Sequence, residues 1–307
     1  MEITNIDFSS YDESQPATLK ALGDQVYAAL TSSGFMTVSN IGITQELRDR
    51  IFALSRDFFG QAEADKHQVG YRTASENFGY QAMLMEHLDP TKPADIKETF
   101  TMRNVERYFD DPSRWPSQEF RDLILYFYDE VFKAAQKLMR VFAAVLKTDN
   151  DFFIQRHAER NNVTLRLLHY PSFDANQVND EQLGAGAHTD YGMITLLFQD
   201  GVEGLEVCDK DGNWLSAPAY TDRIIINTGD LMYRWTNDLF RSTPHRVRPQ
   251  TEGRERFSIA MFIDPDEQAM IETLASCITP DRPNRYQPIR AGEHILQKIQ
   301  ATHGTAY

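Results

Sequence analysis

The chain has 307 residues, with 31 basic and 45 acidic side chains and a formal charge of −14. That balance excludes a nucleic-acid surface, which needs clustered Lys and Arg, and the 41% hydrophobic content excludes global disorder. No apolar run approaches the roughly 18 residues of a membrane span, so a soluble globular protein with a small-molecule partner is expected.

Met1–Asp7 has neither the basic nor the apolar region of a secretory leader. Two cysteines, Cys208 and Cys277, cannot form a disulfide framework. A reducing, cytoplasmic setting is therefore expected. In the first half, Leu19, Leu22, Val26, Ala29 and Leu30 recur at helical spacing, with Gly34 as the stop. Phe35–Val38 reads as a short strand. Leu47, Ile51, Leu54 and Phe58 predict a second helix with Thr44 as its N-cap. The strongest periodicity runs from Glu119 to Lys147, where Phe120, Ile124, Phe127, Val131, Ala135, Leu138, Phe142 and Val145 advance by three or four.

The second half changes character. Short β-rich runs are predicted at Val163–Tyr170, Met193–Phe198, Gly204–Val207, Trp214–Ser216, Arg223–Asn227, Phe240–Val247 and Arg256–Ile263, separated by Gly, Asp, Asn and Pro. Their spacing indicates a sandwich, jelly roll or barrel. The connector Ser172–Gly186 is long, as functional loops often are, and Gly292–Thr302 reads as a last helix. The expected organisation is α+β: a mainly helical region (1–155) packed on a β core (156–275), then a C-terminal loop and helix (276–307), without independent domains.

Three ligand-type residues stand out. His188 and Asp190 are two apart, a spacing that on a strand projects both side chains from one face. His245 lies at the start of another predicted run. Two histidines and one carboxylate on one side leave adjacent coordination positions open, the arrangement of non-haem Fe(II) oxygenases. Lone histidines on strands are more often structural, so His-x-Asp with a distant His needs a second feature. Arg256 and Ser258 supply it, again two apart, in Arg256-Phe257-Ser258-Ile259-Ala260-Met261-Phe262. A guanidinium on an apolar strand is costly to bury unless an anion meets it. Arg offers a planar fork for a carboxylate, and Ser adds a hydroxyl beside it.

Gly186-Ala187-His188-Thr189-Asp190-Tyr191-Gly192, with Thr195–Asp200, resembles the iron-binding strand of 2-oxoglutarate-dependent dioxygenases of the isopenicillin N synthase-like branch. Asn227-Thr228-Gly229-Asp230, Ser242–Val247 and Arg256-Phe257-Ser258 continue the match in order, and Asp95–Phe100 and Gly34-Phe35 resemble that branch's N-terminal region. The resemblance implies a double-stranded β-helix (jelly-roll) core flanked by helices. It also implies His188, Asp190 and His245 as Fe(II) ligands, with Arg256, Ser258 and Tyr170 holding 2-oxoglutarate. The implied reaction consumes O2, releases succinate and CO2, and hydroxylates or desaturates a small molecule. Many plant members carry Asn where this chain has Leu168, which removes one polar contact. Phe262, Tyr191 and Phe100 are candidate substrate contacts. The alternatives are an Fe(II)/O2 oxidase that does without 2-oxoglutarate and a catalytically silent binding protein on the same fold.

Overall fold

The computed structural model describes residues 3–174, 181–251 and 253–302. Strand β1 (Asn5–Asp7), helix α1 (Pro16–Ser32), strand β2 (Phe35–Ser39), helix α2 (Gln45–Phe59) and the one-turn helix α3 (Glu63–Lys66) come first. Strands β3 (Phe78–Gln81) and β4 (Glu98–Arg103) precede the long helix α4 (Gln118–Val145). Next come β5 (Thr164–Tyr170), β6 (Ala185–His188), β7 (Ile194–Gln199), β8 (Leu205–Cys208), β9 (Trp214–Ser216), β10 (Ile224–Thr228) and helix α5 (Asp230–Trp235). Strands β11 (His245–Val247) and β12 (Arg256–Ile263), the ribbon β13 (Met270–Ile271) with β14 (Ile289–Arg290), and helix α6 (Ala291–Thr302) complete the chain.

The helix ends follow local chemistry. The Thr44 hydroxyl accepts from Leu47 N–H at 3.2 Å and caps α2, and the Ser117 hydroxyl accepts from Phe120 N–H at 3.1 Å to cap α4. After α1, Gly34 turns the chain at φ +73°, where a Cβ would stand 2.7 Å from the Arg241 carbonyl oxygen.

Among the described residues the strands form an eight-stranded sheet in the order β1-β2-β10-β7-β12-β5-β4-β3 and a four-stranded sheet in the order β6-β11-β8-β9. Period-2 alternation gives the large sheet two unlike faces. Leu165, Leu167, Ile194, Leu196, Phe198, Ile224, Ile226, Phe257, Ile259 and Met261 join the apolar core shared with the helices. Phe127 of α4 meets Phe198 of β7 edge-on, with centroids 5.2 Å apart. The opposite face, carrying Tyr170, Leu168, Arg256, Ser258, Ala260 and Phe262, lines a cavity that the small sheet closes with Ala185, His188, Leu205, His245 and Val247. This is the jelly-roll arrangement, helices behind one sheet and a cavity between the two.

Several expectations need correction. The region 1–155 is not only a helical layer, because β1 to β4 extend the large sheet on both sides of β10, β7, β12 and β5. Of the run Phe240–Val247 only His245–Val247 is strand. Pro244 has no N–H to give a ladder, and Phe240 donates its N–H to the Thr236 hydroxyl instead. The connector Ser172–Gly186 ends in β6, and its residues 175–180 lie outside the described set. No helix among the described residues is long and apolar enough to cross a membrane.

Phe100 is also misplaced by the sequence reading. On β4 it points to the helical side, fully buried, with its ring centroid 5.0 Å from Phe58, 5.4 Å from Phe120 and 6.0 Å from Phe78. It is a core residue and does not line the cavity. Phe100→Ala should therefore cost about 3–5 kcal/mol of stability by urea unfolding and leave 2-oxoglutarate affinity within twofold. A selective loss of ligand affinity at unchanged stability would contradict the assignment.

Candidate active site

His188 is the last residue of β6, and its register partner across the ladder is His245, the first residue of β11. The two imidazoles are thus neighbours by strand pairing, with centroids 4.4 Å apart and planes tilted by 53°. Asp190 lies two residues beyond the end of β6, in the turn towards β7, so strand alternation alone does not aim it. The turn is aimed by β10 and the residues after it. Asp230 N–H donates to the Asp190 carbonyl at 2.8 Å. Gly229 allows this approach, since a Cβ there would meet that carbonyl oxygen at 2.7 Å. Asn227, quoted above only as part of a motif, donates its Nδ2 to Asp190 Oδ2 at 2.6 Å, and the Thr195 hydroxyl donates to the same oxygen at 2.5 Å.

These bonds divide the carboxylate. Oδ2 is taken, and Oδ1 faces the imidazoles, 3.9 Å from His188 Nε2 and 3.7 Å from His245 Nε2. The Nδ1 atoms lie 2.7 Å from the Gly186 carbonyl and 3.1 Å from the Thr243 carbonyl. A carbonyl only accepts, so each Nδ1 carries the proton and each Nε2 offers a lone pair. One ligand atom from each of the three residues falls within 4.8 Å of the others. Burial, reinforced by the nearby His245, pushes His188 down to about 3. Burial alone would raise Asp190, but the two imidazoles and the bonds from Thr195 and Asn227 outweigh it and hold the carboxyl below its usual range. Neutral imidazole and ionised carboxylate are the forms that bind a metal. Two nitrogens and one oxygen on one side of a cavity suit iron(II) with positions left open.

In the same cavity, Arg256 on β12 is only 1% exposed. Its Nη1 donates to the Ser258 hydroxyl at 3.2 Å and its Nη2 to Gln199 Oε1 at 3.3 Å, while Nε has no partner. The Tyr170 ring lies 4.9 Å from the guanidinium carbon; Arg256 and Tyr170 are register partners on β12 and β5. Among the described residues no carboxylate pairs with this cation. A buried guanidinium without a counter-ion is costly, and an anion entering the cavity would relieve it. The dianion 2-oxoglutarate fits that demand. Gln199 was not singled out in the sequence, although it shares the inward phase of Thr195 and Leu197 on β7.

Tyr191 and Phe262, two of the candidate substrate contacts, line the cavity. Its wall also carries Glu86, Lys97, Arg166 and Asp264, and burial pushes the Asp264 carboxyl up to about 7. Arg166 was legible as a member of the inward series Thr164, Arg166, Leu168, Tyr170. Glu86 and Lys97 come from a loop with no periodicity to read.

Because Asn227 and Thr195 set which oxygen of Asp190 is free, Asn227→Ala or Thr195→Val should weaken Mn(II) binding, measured by anaerobic calorimetry, about 10- to 100-fold. Unchanged affinity in both variants would contradict this positioning role.

Residues 156–265 match the 2OG-Fe(II) oxygenase superfamily, and residues 3–118 match the family described as non-haem dioxygenase in morphine synthesis N-terminal. The 2-oxoglutarate-Fe(II) type oxidoreductase hxnY of Emericella nidulans is 30% identical, over 98% of this chain and 90% of its own. The 2-oxoglutarate-dependent dioxygenase citB of Monascus ruber is 33% identical, over 97% of this chain and 94% of its own. A full-length Neurospora crassa protein crystallised with alpha-KG and thymine superposes with a TM-score of 0.87 at 30% identity, covering 97% of this chain and 96% of that one. The chain belongs to the 2OG-Fe(II) oxygenase superfamily, and it is a 2-oxoglutarate-dependent dioxygenase.

Proposed function

We propose that His188, Asp190 and His245 hold the iron, that Arg256, Ser258 and Tyr170 hold 2-oxoglutarate, and that a small organic substrate contacts Tyr191 and Phe262. Bound there, iron(II) with 2-oxoglutarate and O2 supplies an oxidative decarboxylation to succinate and CO2 that drives hydroxylation or desaturation of the substrate. The observation that carries the reading is Arg256, a fully buried cation with no carboxylate partner among the described residues, in the wall of the cavity that holds the three ligand-type residues.

The chain's own groups have separable tasks. Thr195 and Asn227 orient Asp190, and the Gly186 and Thr243 carbonyls orient the imidazoles. Arg256 neutralises a ligand carboxylate. The Ser258 hydroxyl accepts from Arg256 and so keeps its own proton to donate to the ligand. The Tyr170 ring packs on the guanidinium and limits its rotation. The apolar walls at Leu168, Leu205, Val247 and Ala260 keep water from the site. Thymine and 5-formyluracil, found with alpha-KG in the Neurospora structures, support a small substrate here too. The two free cysteines, Cys277 among them buried, support a cytoplasmic location.

Charge-assisted bonds of this kind contribute roughly 1.5–3 kcal/mol each. Arg256→Ala should raise the apparent dissociation constant for 2-oxoglutarate tenfold or more, about 1.4 kcal/mol, with metal affinity unchanged. An unaltered 2-oxoglutarate titration would refute the assignment of Arg256.

A further inference from the structure

We propose that Arg166 orients the primary substrate, and that this substrate is an uncharged molecule presenting a carbonyl-type oxygen, as an amide, imide, lactam or ketone does. The inference rests on reading the cavity as the substrate site of an oxygenase that binds iron(II) and 2-oxoglutarate.

Arg166 on β5 pairs across the ladder with Ala260 of β12, whose small side chain leaves the guanidinium room to enter the cavity. Three bonds hold that guanidinium: Nε donates to the Thr101 hydroxyl at 3.1 Å, and Nη2 donates to Glu86 Oε1 at 2.5 Å and to the Thr99 hydroxyl at 3.2 Å. Nη1 makes no hydrogen bond to the described residues, and Arg166 lines the cavity. A rigidly held donor on the cavity wall, with one nitrogen unbonded among the described residues, is prepared for an acceptor on a ligand, and little entropy is lost when it engages.

The Lys97 ammonium is buried between Glu86 Oε2 at 3.0 Å and Asp95 Oδ2 at 2.5 Å, and Glu86 also binds Arg166. Around the cavity, Lys97, Arg166 and Arg256 are thus matched in number by Glu86, Asp95 and Asp190. Iron(II) and dianionic 2-oxoglutarate cancel one another. Asp264 adds nothing when protonated and a negative charge when ionised, so the loaded site is neutral or negative. A substrate carboxylate would enter without a counter-charge, which burial penalises strongly. A carbonyl oxygen accepts from Arg166 Nη1 and leaves the charge count unchanged.

The test is anaerobic calorimetry on the full-length protein loaded with Mn(II) and 2-oxoglutarate. The probes are neutral and anionic pairs of similar shape: thymine against 5-carboxyuracil, and benzamide against benzoate. The 2-oxoglutarate isotherm is recorded first. Its absence would overturn the underlying reading of the cavity, and with it the inference; its presence confines any later failure to the inference itself. The expected result is binding of a neutral probe at least tenfold tighter than its acid. Arg166→Met should weaken that neutral probe at least tenfold while the 2-oxoglutarate isotherm persists, and Arg166→Lys, which keeps the charge but not the fork, should restore only part of the loss. The proposal is overturned if the acids bind as tightly as their neutral partners, if no neutral probe binds, or if Arg166→Met leaves neutral-probe affinity unchanged. The wild-type comparison needs no variant to fold.

Discussion

The two oxygens of Asp190 do different work, and the site depends on that division. Oδ2 is fixed by Thr195 and Asn227, so Oδ1 has one direction left, towards the Nε2 atoms of His188 and His245. Thr195 and Asn227 are register partners on β7 and β10, central strands of the large sheet, whereas the histidines are partners on β6 and β11 of the small one. The carboxylate therefore links the two sheets, and the closed jelly roll is what brings its ligand atoms into range. A buried carboxylate without those donors would drift towards the protonated form and lose its charge for a metal.

The second constraint is the alternation on β12 and β5. Every second residue from Arg256 to Phe262 faces the cavity, and the residues between them pack on the helices. One phase error would send Arg256 into the aromatic layer formed by Phe58, Phe59 and Phe257. Among the described residues Arg256 is held by neutral acceptors alone, Ser258 and Gln199, while Lys97 and Arg166 have carboxylates of their own. That contrast separates Arg256, for which we propose an anionic ligand, from the cations that already have carboxylate partners.

Much of this was legible in the sequence. Period 2 on Arg256–Phe262 correctly placed Arg256, Ser258 and Phe262 on one face, and helical spacing located α1, α2 and α4. His188 and Asp190 were read as strand neighbours, but Asp190 lies past the strand end and is aimed by the Asn227–Asp230 turn, a long-range contact that local spacing does not encode. Phe100 went astray because an aromatic on an unread strand gives no sign of which face it takes. Strand β4 alternates Thr99 and Thr101 with Phe100 and Met102, but it is short and buried on both faces, so the alternation does not tell which face meets the core. The cluster of Glu86, Lys97 and Arg166 could not be assembled from sequence, because its members meet only across a loop and a strand.

The central claim is that one cavity holds a metal on His188, Asp190 and His245 with 2-oxoglutarate beside it on Arg256. The most direct test is to add 2-oxoglutarate anaerobically to the Fe(II)-loaded protein and record the visible spectrum. A weak charge-transfer band that saturates with one equivalent of 2-oxoglutarate, and that is lost in His245→Ala, is the predicted result. Iron-loaded protein that shows no such band would contradict the account.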